Sequence, residues 1–249
     1  MTFKRELEVM RRAAQAAAEV ALRYREEGLE IENKKDESPV TRADRECERV
    51  IRAMLEEAFP EDGVLGEEAA EKPSRSGRRW IVDPIDGTRD YVRGNRHWSV
   101  LIGLEDAGEV VAGICHLPSL GEMYTAWRGG GAYCNDRRVR VSAIQQVERA
   151  VICLSGLDLL VDRPLPWVQR FWAVRSMGGC VDAILVASGA AEVWIEPSCA
   201  PWDLAALKVI LEEAGARFFN LDGGSSIYAG NCVACVPSLE KEVRDLLGV

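Results

Sequence analysis

The segment Asp83-Pro84-Ile85-Asp86-Gly87-Thr88 constrains the fold of this chain more than any other feature. The apolar residues 80–82 precede it and are typical of a buried strand, so two acidic side chains lie beside a core on a turn that proline stiffens. Neighbouring buried carboxylates are costly unless positive charge offsets them. Oxygen ligands of this kind suit a divalent cation. The segment therefore predicts a metal site, and the fold must bring further ligands to it.

The charge balance limits the partners of the chain. Of its 249 residues, 31 are Lys or Arg and 40 are Asp or Glu, which gives a formal net charge of -9. An acidic surface disfavours nucleic acid and membrane as partners, but a bound cation reverses the local charge and admits a small phosphorylated metabolite. The first residues are amphipathic and do not form a signal peptide, and no apolar run approaches the roughly 20 residues that cross a bilayer. We expect a cytoplasmic protein.

Cysteine and histidine offer little support for a different kind of centre. Most of the eight cysteines have apolar neighbours, which indicates reduced, buried thiols. Cys232 and Cys235 have the spacing of zinc ligands, but no second such pair accompanies them, and a strand is the favoured interpretation. The two histidines, His97 and His116, flank strand-like runs, so structural roles are favoured for both. Carboxylates must therefore carry any chemistry.

Hydrophobic periodicity predicts an α/β fold of layered helices and sheets. Amphipathic helices are expected over residues 3–27 and from Thr41 to just before Pro60. The next runs are typical of an antiparallel meander, with strands at 80–82, 97–104, 109–116, 122–127 and 131–141. Strands and helices then alternate, with strands at 150–154, 192–195, 216–219 and 232–236 and helices at 179–189, 201–214 and 238–247. We expect one compact unit with two halves: residues 1–143, which carry most acidic motifs, and residues 144–249.

Three further acidic positions could join the first two. Glu67 follows a short apolar run and a glycine, Asp203 begins a strongly apolar helix, and Asp44 lies in the first turn of the second helix. Each also has a plainer explanation. A carboxylate at a helix N-terminus offsets the macrodipole by about 0.3–1 kcal/mol, and a loop glutamate is commonly solvated. The residues alone leave both explanations open.

Taken together, the acidic motifs point to one family. They are Gly66-Glu67-Glu68, residues 80–88, and Pro201-Trp202-Asp203 followed by residues 212–215. In this order, over nearly the whole chain, they resemble the inositol monophosphatase superfamily of magnesium-dependent, lithium-sensitive phosphatases. The resemblance implies the layered α-β-α-β-α sandwich of the inositol monophosphatase and fructose-1,6-bisphosphatase type, and a homodimer. Residues 92–94, 128–132 and 203–207 are similar to the branch that includes bacterial histidinol-phosphatases.

The resemblance implies a set of metal ligands. Glu67, Asp83 and the Ile85 carbonyl would hold one metal ion. Asp83, Asp86 and Asp203 would hold a second, with Asp83 bridging the two. Carboxylate and carbonyl oxygens without nitrogen or sulfur donors suit Mg²⁺, with Mn²⁺ as an alternative. Members of the family would bind roughly two or three such ions per site.

The resemblance also implies how hydrolysis would proceed. Gly87 and Thr88 would present backbone N–H groups to the phosphate at a helix start. The Thr88 hydroxyl, linked to Asp44 and Glu67, would position and deprotonate a water that a metal ion activates for in-line attack on phosphorus. The catalytic residues would thus be Glu67, Thr88 and Asp44. No covalent phospho-enzyme is needed.

Substrate recognition is expected around residues 178–196. Glu196 follows a predicted strand and matches a position where family members bind a substrate hydroxyl or amine. Gly178 and Gly179 match a loop that lines the substrate pocket, although a plain helix start also explains them. In the histidinol-phosphatase branch an acid usually stands at the position of Gly179, so the chain departs from that branch here, with Asp182 one helical turn on.

These features predict a Mg²⁺-dependent phosphomonoesterase that acts on a small polyol or amino-alcohol phosphate. Inositol 1-phosphate is the leading substrate because it is the most general one of the superfamily, and L-histidinol phosphate is the alternative. A metal-dependent binding module without turnover is a remote third possibility. The complete set of acidic ligands speaks against it.

Overall fold

The computed structural model describes residues 3–28, 31–33, 39–156 and 166–249, with the backbone alone for 31–33 and 39–41. Its helices are α1 (Lys4–Glu27), α2 (Arg42–Ala58), α3 (Thr88–Val92), α4 (Gly179–Ala187), α5 (Pro201–Ala214) and α6 (Glu240–Leu247). Its strands are β1 (Ile31–Asn33), β2 (Pro39–Thr41), β3 (Gly63–Gly66), β4 (Arg78–Asp86), β5 (Ser99–Asp106), β6 (Glu109–Leu117), β7 (Glu122–Trp127), β8 (Gly131–Cys134), β9 (Arg137–Val139), β10 (Val151–Leu154), β11 (Ala173–Arg175), β12 (Val193–Glu196), β13 (Arg217–Phe219) and β14 (Cys232–Cys235).

The first half of the chain forms a seven-stranded sheet in which β3 to β9 follow one another in chain order. β3 runs parallel to β4, and every later pair is antiparallel, which confirms the predicted meander. The prediction of a single strand over residues 131–141 is wrong. Asn135 and Asp136 adopt φ angles of 44° and 65°, which these two residue types tolerate, and they turn the chain between β8 and β9.

A second sheet of five strands has the order β11-β10-β12-β14-β13. β10 lies parallel to β11 and β12, and the other pairs are antiparallel. Cys232 and Cys235 lie in different hydrophobic clusters on the two faces of β14. They therefore do not form one metal site. This agrees with the favoured interpretation, in which the two cysteines are part of a strand.

Three hydrophobic clusters stack these elements into layers. One joins α1 and α2 to a face of the seven-stranded sheet, through residues that include Ala17, Ile51, Trp80, Val100 and Ile114. The second joins the opposite face to α4 and α5 and to the five-stranded sheet, through Leu101, Ile184, Ala206, Ile210 and Trp194 among others. The third covers the remaining sheet face with α6, through Ile152, Phe219, Val233 and Val243. The order of layers is α-β-α-β-α, which confirms the predicted fold class.

Close contact between α5 and the seven-stranded sheet positions the site. Gly103 and Gly113 are paired on β5 and β6. A Cβ at either glycine would lie 2.7 Å from a side-chain atom of α5, namely Ala205 Cβ or Val209 Cγ1. The helix therefore lies directly on the sheet backbone. Its first turn carries Asp203, which is thereby brought to the strand that carries the first two acids.

The predicted division of the chain at residues 143 and 144 stays a prediction. The seven-stranded sheet ends at β9 and the other sheet begins at β10. However, α5 comes from the second half and contacts β4 to β8 of the first. The two halves consequently share a core. Lys34 and Lys35, for which the sequence favours a solvated loop over a metal or phosphate contact, lie outside the described residues.

Candidate active site

An irregularity in β4 brings Asp83 and Asp86 to the same side of the strand. β4 is longer than the predicted strand 80–82 and includes both acids. Residues three apart on a regular strand point to opposite faces. Here the pairing with β5 shifts register between Asp83 and Asp86, around Pro84, which has no N–H to donate. The Ile85 N–H instead donates to Asp83 Oδ1 at 3.0 Å and fixes that buried carboxyl group.

The carboxyl groups of Asp83, Asp86 and Asp203 converge, with one oxygen from each lying within 4.8 Å of the others. Asp203 also accepts the Ala200 N–H at 2.7 Å through Oδ2, so it caps α5 as well as facing the cluster. Among the described residues, Asp86 Oδ2 is buried and has no hydrogen-bond partner. A buried polar atom without a partner is costly, by about 1–3 kcal/mol and more if charged. A bound divalent cation would remove that cost, so the residues present fit a metal ion.

The electrostatics of the cluster favour the same conclusion. Burial raises the pKa of Asp83 well above its ordinary value, and the nearby carboxylates, with Glu67 first among them, add to that rise. Burial also raises the pKa of Asp86 to about 6, although hydrogen bonds from Cys180 lower it. Ionising these groups together is thus unfavourable without a cation.

Strand register places Glu67 beside Asp83. β3 pairs with β4 in parallel so that Gly66 lies opposite Val82. An acid follows each of these residues in the sequence: Glu67 comes directly after the end of β3, and Asp83 continues β4. The charge of Glu67 raises the pKa of both Asp83 and Asp86, which also indicates that the three groups are close.

Thr88 and Asp44 meet at the start of α3. The Thr88 Oγ1 atom lies 3.1 Å from the Ile85 carbonyl oxygen and 3.4 Å from Oδ1 of the fully buried Asp44. Its one proton can serve one of these acceptors at a time. Gly87 precedes the helix with a φ of +81°, and a Cβ there would lie 2.9 Å from the His97 backbone oxygen. Only glycine fits this turn without strain.

A cavity of about 130 Å³ opens beside the acidic cluster. Its lining includes Asp86, Gly179, Glu196 and Asp203, so candidate metal ligands and predicted substrate residues line the same cavity. A Cβ at Gly179 would lie 3.8 Å from both Asp86 Oδ1 and Glu196 Oε2. Gly178 is the N-cap residue of α4 and is not among the described residues that line this cavity. A Cβ at Gly178 would lie 3.8 Å from Asp90 Oδ2.

Glu196 is a buried acid that faces this cavity from the end of β12. Burial raises its pKa to about 8. The neighbouring Ser155 hydroxyl lowers this pKa, and the charges of Asp86 and Asp203 raise it again. The side chain is therefore suited to a substrate group that donates a hydrogen bond or carries positive charge.

Asp182 does not replace the acid that is missing at Gly179. It is fully buried, and its oxygens accept the Ser155 hydroxyl at 3.0 Å and the backbone N–H groups of Met177 and Gly178 at 3.0 and 3.3 Å. It holds the entry to α4 in place. The departure from the histidinol-phosphatase branch at Gly179 is therefore not compensated by its neighbour.

Comparison with known proteins identifies the family. The profile of the inositol monophosphatase family matches residues 4–246. The chain belongs to this family. A histidinol-phosphatase of Chlorobaculum parvum is 42% identical over 231 residues, which cover 90% of this chain and 89% of the relative. An inositol-1-monophosphatase of Rhizobium meliloti is 35% identical over 233 residues, which cover 89% and 87%. The structure of the extragenic suppressor protein suhB from Bartonella henselae is 33% identical, with a TM-score of 0.89 over 97% of each chain.

Membership of the inositol monophosphatase family has two consequences. The chain is a phosphoric monoester hydrolase of a metal-dependent family, so the predicted enzyme class is confirmed and the binding module without turnover is set aside. The relatives include both of the substrate classes that were predicted. None of the described helices of this family member combines the length and the hydrophobicity of a membrane span.

Two residues of this inositol monophosphatase family member escaped the sequence analysis. Cys180 lines the cavity together with Asp86 and lowers the pKa of Asp86, and no sequence pattern points to that contact. Glu48 is buried in α2 and accepts the backbone N–H groups of Glu68 and Ala69. A signal for Glu48 did exist, because it lies four residues after Asp44 on the apolar face of an amphipathic helix.

Proposed function

We propose that this phosphatase uses Mg²⁺, held by Asp83, Asp86 and Asp203, to hydrolyse a small phosphate monoester. The observation that carries the proposal is the buried Asp86 Oδ2, which has no partner among the described residues and lies in a cluster of three converging carboxylates. Hard oxygen ligands favour Mg²⁺, with Mn²⁺ as a substitute. Glu67 and the Ile85 carbonyl would complete a second position, with Asp83 shared between the two.

The side chains around the metal site would prepare the attack. When bound, the metal ions lower the pKa of a water molecule and neutralise charge on the phosphoryl oxygens. Asp44 orients the Thr88 hydroxyl, which lies within reach of it and of the Ile85 carbonyl. Thr88 would then hold the attacking water, and Glu67 would accept its proton. The backbone N–H groups of Gly87 and Thr88 would bind the phosphate.

Glu196 would select the alcohol that carries the phosphate. It is a buried acid that lines the same cavity as Asp203, and Gly179 leaves the space between it and Asp86 open. A buried carboxylate pairs favourably with an ammonium group and also accepts hydroxyl hydrogen bonds. Both an amino-alcohol phosphate and inositol 1-phosphate therefore fit its chemistry.

Of these two substrates we now place L-histidinol phosphate first. Histidinol-phosphatases at 42% and 38% identity are more similar to this chain than the inositol-1-monophosphatase at 35%. This reverses the order that the sequence analysis gave. Inositol 1-phosphate stays the second candidate, because the position of Gly179 lacks the acid of the histidinol-phosphatase branch.

Parallel assays of the two esters test the proposal. Phosphate release should require Mg²⁺ or Mn²⁺ and stop with a chelator, and kcat/KM should be higher for histidinol phosphate. A higher kcat/KM for inositol 1-phosphate would restore the original order. Turnover of neither ester, or turnover that chelation leaves unchanged, would refute the proposal. Glu196→Ala should change the ratio of the two kcat/KM values, whereas equal losses on both esters would make Glu196 structural.

Two further expectations from the resemblance stay proposals. We expect a homodimer, which light scattering coupled to size exclusion tests directly, with a monomer at all concentrations as the contrary result. We also expect a cytoplasmic location, in keeping with eight cysteines that are all free. Fractionation of the source cells would test it.

A further inference from the structure

Glu48 is a buried charge to which the proposed reaction assigns no task. Its side chain is 1% exposed and lies in α2, one helical turn after Asp44. Carboxylates are rarely buried to this degree unless their oxygens are paired. The partners of Glu48 therefore indicate its role.

All of the described partners lie on the turn after β3 or support it. Oε2 accepts the Glu68 N–H at 2.7 Å, and Oε1 accepts the Ala69 N–H at 3.1 Å. Arg52 donates to Oε1 at 3.2 Å and, through its other terminal nitrogen, to the Ala70 carbonyl at 2.8 Å. Glu48 and Arg52 thus bind three consecutive residues of the turn, and the positive charge of Arg52 offsets the negative charge of Glu48.

Gly66 shows how closely the turn approaches this carboxyl group. A Cβ at Gly66 would lie 2.2 Å from Glu48 Oε1, well inside the contact distance. The Gly66 backbone is fixed on its other side by the pairing with Val82 of β4. Glu67 therefore stands between a residue held by the sheet and Glu68, which Glu48 holds.

We infer that Glu48 is a positioning residue that aims Glu67 at the metal site. This rests on the proposed role of Glu67 as a metal ligand. Helix α2 then serves the site twice from one face: Asp44 orients Thr88, and Glu48 fixes the turn that carries Glu67. Residues that orient a metal ligand in this way commonly change metal affinity by about 10- to 100-fold when they are replaced.

The variant Glu48→Gln tests the inference with little change in volume. An amide has one acceptor oxygen, and its NH₂ group would face a backbone N–H that also donates, so one of the two backbone contacts is lost. We expect isothermal titration of the chelator-treated protein to show at least about tenfold weaker Mg²⁺ binding. The Mg²⁺ concentration for half-maximal phosphate release should rise by the same factor. At saturating Mg²⁺, kcat should return to within about threefold of the wild-type value.

Glu56→Gln is a matched control. Glu56 lies on the same helix, 3.9 Å from Arg52, and its side chain is 41% exposed. The substitution removes the negative charge of Glu56, which lies beside the same arginine but away from the turn. Mg²⁺ affinity should therefore not change. Gly66→Ala approaches the contact from the other side, because its methyl group displaces the Glu48 carboxyl. It should weaken Mg²⁺ binding as Glu48→Gln does.

The outcomes are distinct. Folded Glu48→Gln and Gly66→Ala proteins with weaker Mg²⁺ binding support the inference. Binding within twofold of wild type in Glu48→Gln overturns it, even if the melting temperature falls, because Glu48 then serves stability alone. A Glu48→Gln protein that is unfolded by circular dichroism also overturns it. If the wild-type protein itself binds no Mg²⁺, the proposed function fails first.

Discussion

Replacement of Asp86 by Asn separates the effect of this carboxylate on the stability of the metal-free protein from its effect on activity. Burial raises the pKa of Asp86 from 3.8 to about 6. Because each pH unit corresponds to about 1.4 kcal/mol, the ionised side chain costs the metal-free fold about 3 kcal/mol. The folded-state pKa is raised, so this cost is present in full above about pH 6 and disappears as the pH falls to 3.8. Asp86→Asn should therefore stabilise the metal-free protein at pH 7.5, by up to about 3 kcal/mol.

Thermal unfolding in the presence of a chelator measures this effect. A gain of 1 kcal/mol raises the melting temperature of a protein of this size by about 2–4 °C, so the variant should melt several degrees higher at pH 7.5 and show a smaller gain at pH 5. Mg²⁺ should stabilise the wild type and leave the variant nearly unchanged. Phosphate release should fall by more than about 100-fold, because a proposed metal ligand is lost.

Asp106→Asn is the control for this experiment. Asp106 lies opposite Arg78 in the register of β4 and β5, at the other end of β4, and its replacement should not alter metal binding. A metal-free Asp86→Asn protein that is less stable than wild type at pH 7.5 would refute the electrostatic reasoning. More than a tenth of wild-type activity in that variant would refute the metal assignment.

Three other predictions follow from the geometry. Gly87→Ala should lower the free energy of unfolding by about 1–3 kcal/mol in urea titrations, since φ is +81° and His97 O blocks the methyl group; an unchanged midpoint would contradict this. Thr88→Ala should lower kcat by about 100-fold with Mg²⁺ affinity preserved, and Thr88→Ser should retain most activity; an equal loss in both would rule out the hydroxyl. Because the pKa of Glu196 is about 8, kcat/KM for an ammonium-bearing ester relative to inositol 1-phosphate should rise between pH 6.5 and 8.5. Glu196→Gln should flatten that ratio, and a flat wild-type profile would count against an ammonium partner.

The order of elements could be predicted well, because periodicity and turn residues are local signals. The predicted bounds of β7 and α5 coincide with the observed ones. The prediction over 131–141 was wrong because the pair Asn135 and Asp136 was not recognised as a hairpin turn. The extent of β4 through both acids was also underestimated. Proline normally ends a strand, and here the register shift absorbs it.

The site was harder to predict from the sequence than the order of the elements. The acids could be named because the motifs resemble a known family, but their convergence depends on the β4 irregularity and on the packing of α5 over Gly103 and Gly113. The role of Glu48 depends on where the turn after β3 lies in space, which no local pattern gives. The alcohol specificity that we propose would depend on a cavity wall built from α4, β12 and α5, which no single segment of the sequence describes.

The acidic residues of the cluster and the contacts that hold them in place have different energetic roles. In the metal-free protein, burial and neighbouring carboxylates disfavour the ionised forms of Asp83 and Asp86, so the charges of the cluster do not themselves favour its geometry. That geometry comes from contacts that do not depend on the metal. These are the sheet, the glycine-lined contact with α5, and the paired charges of Glu48 and Arg52 on α2. In such a site the ligands are ordered during folding, so the entropy cost of ordering them does not reduce the electrostatic gain when the cation binds. Variants of the supports should therefore weaken metal affinity, whereas variants of the ligands should remove it.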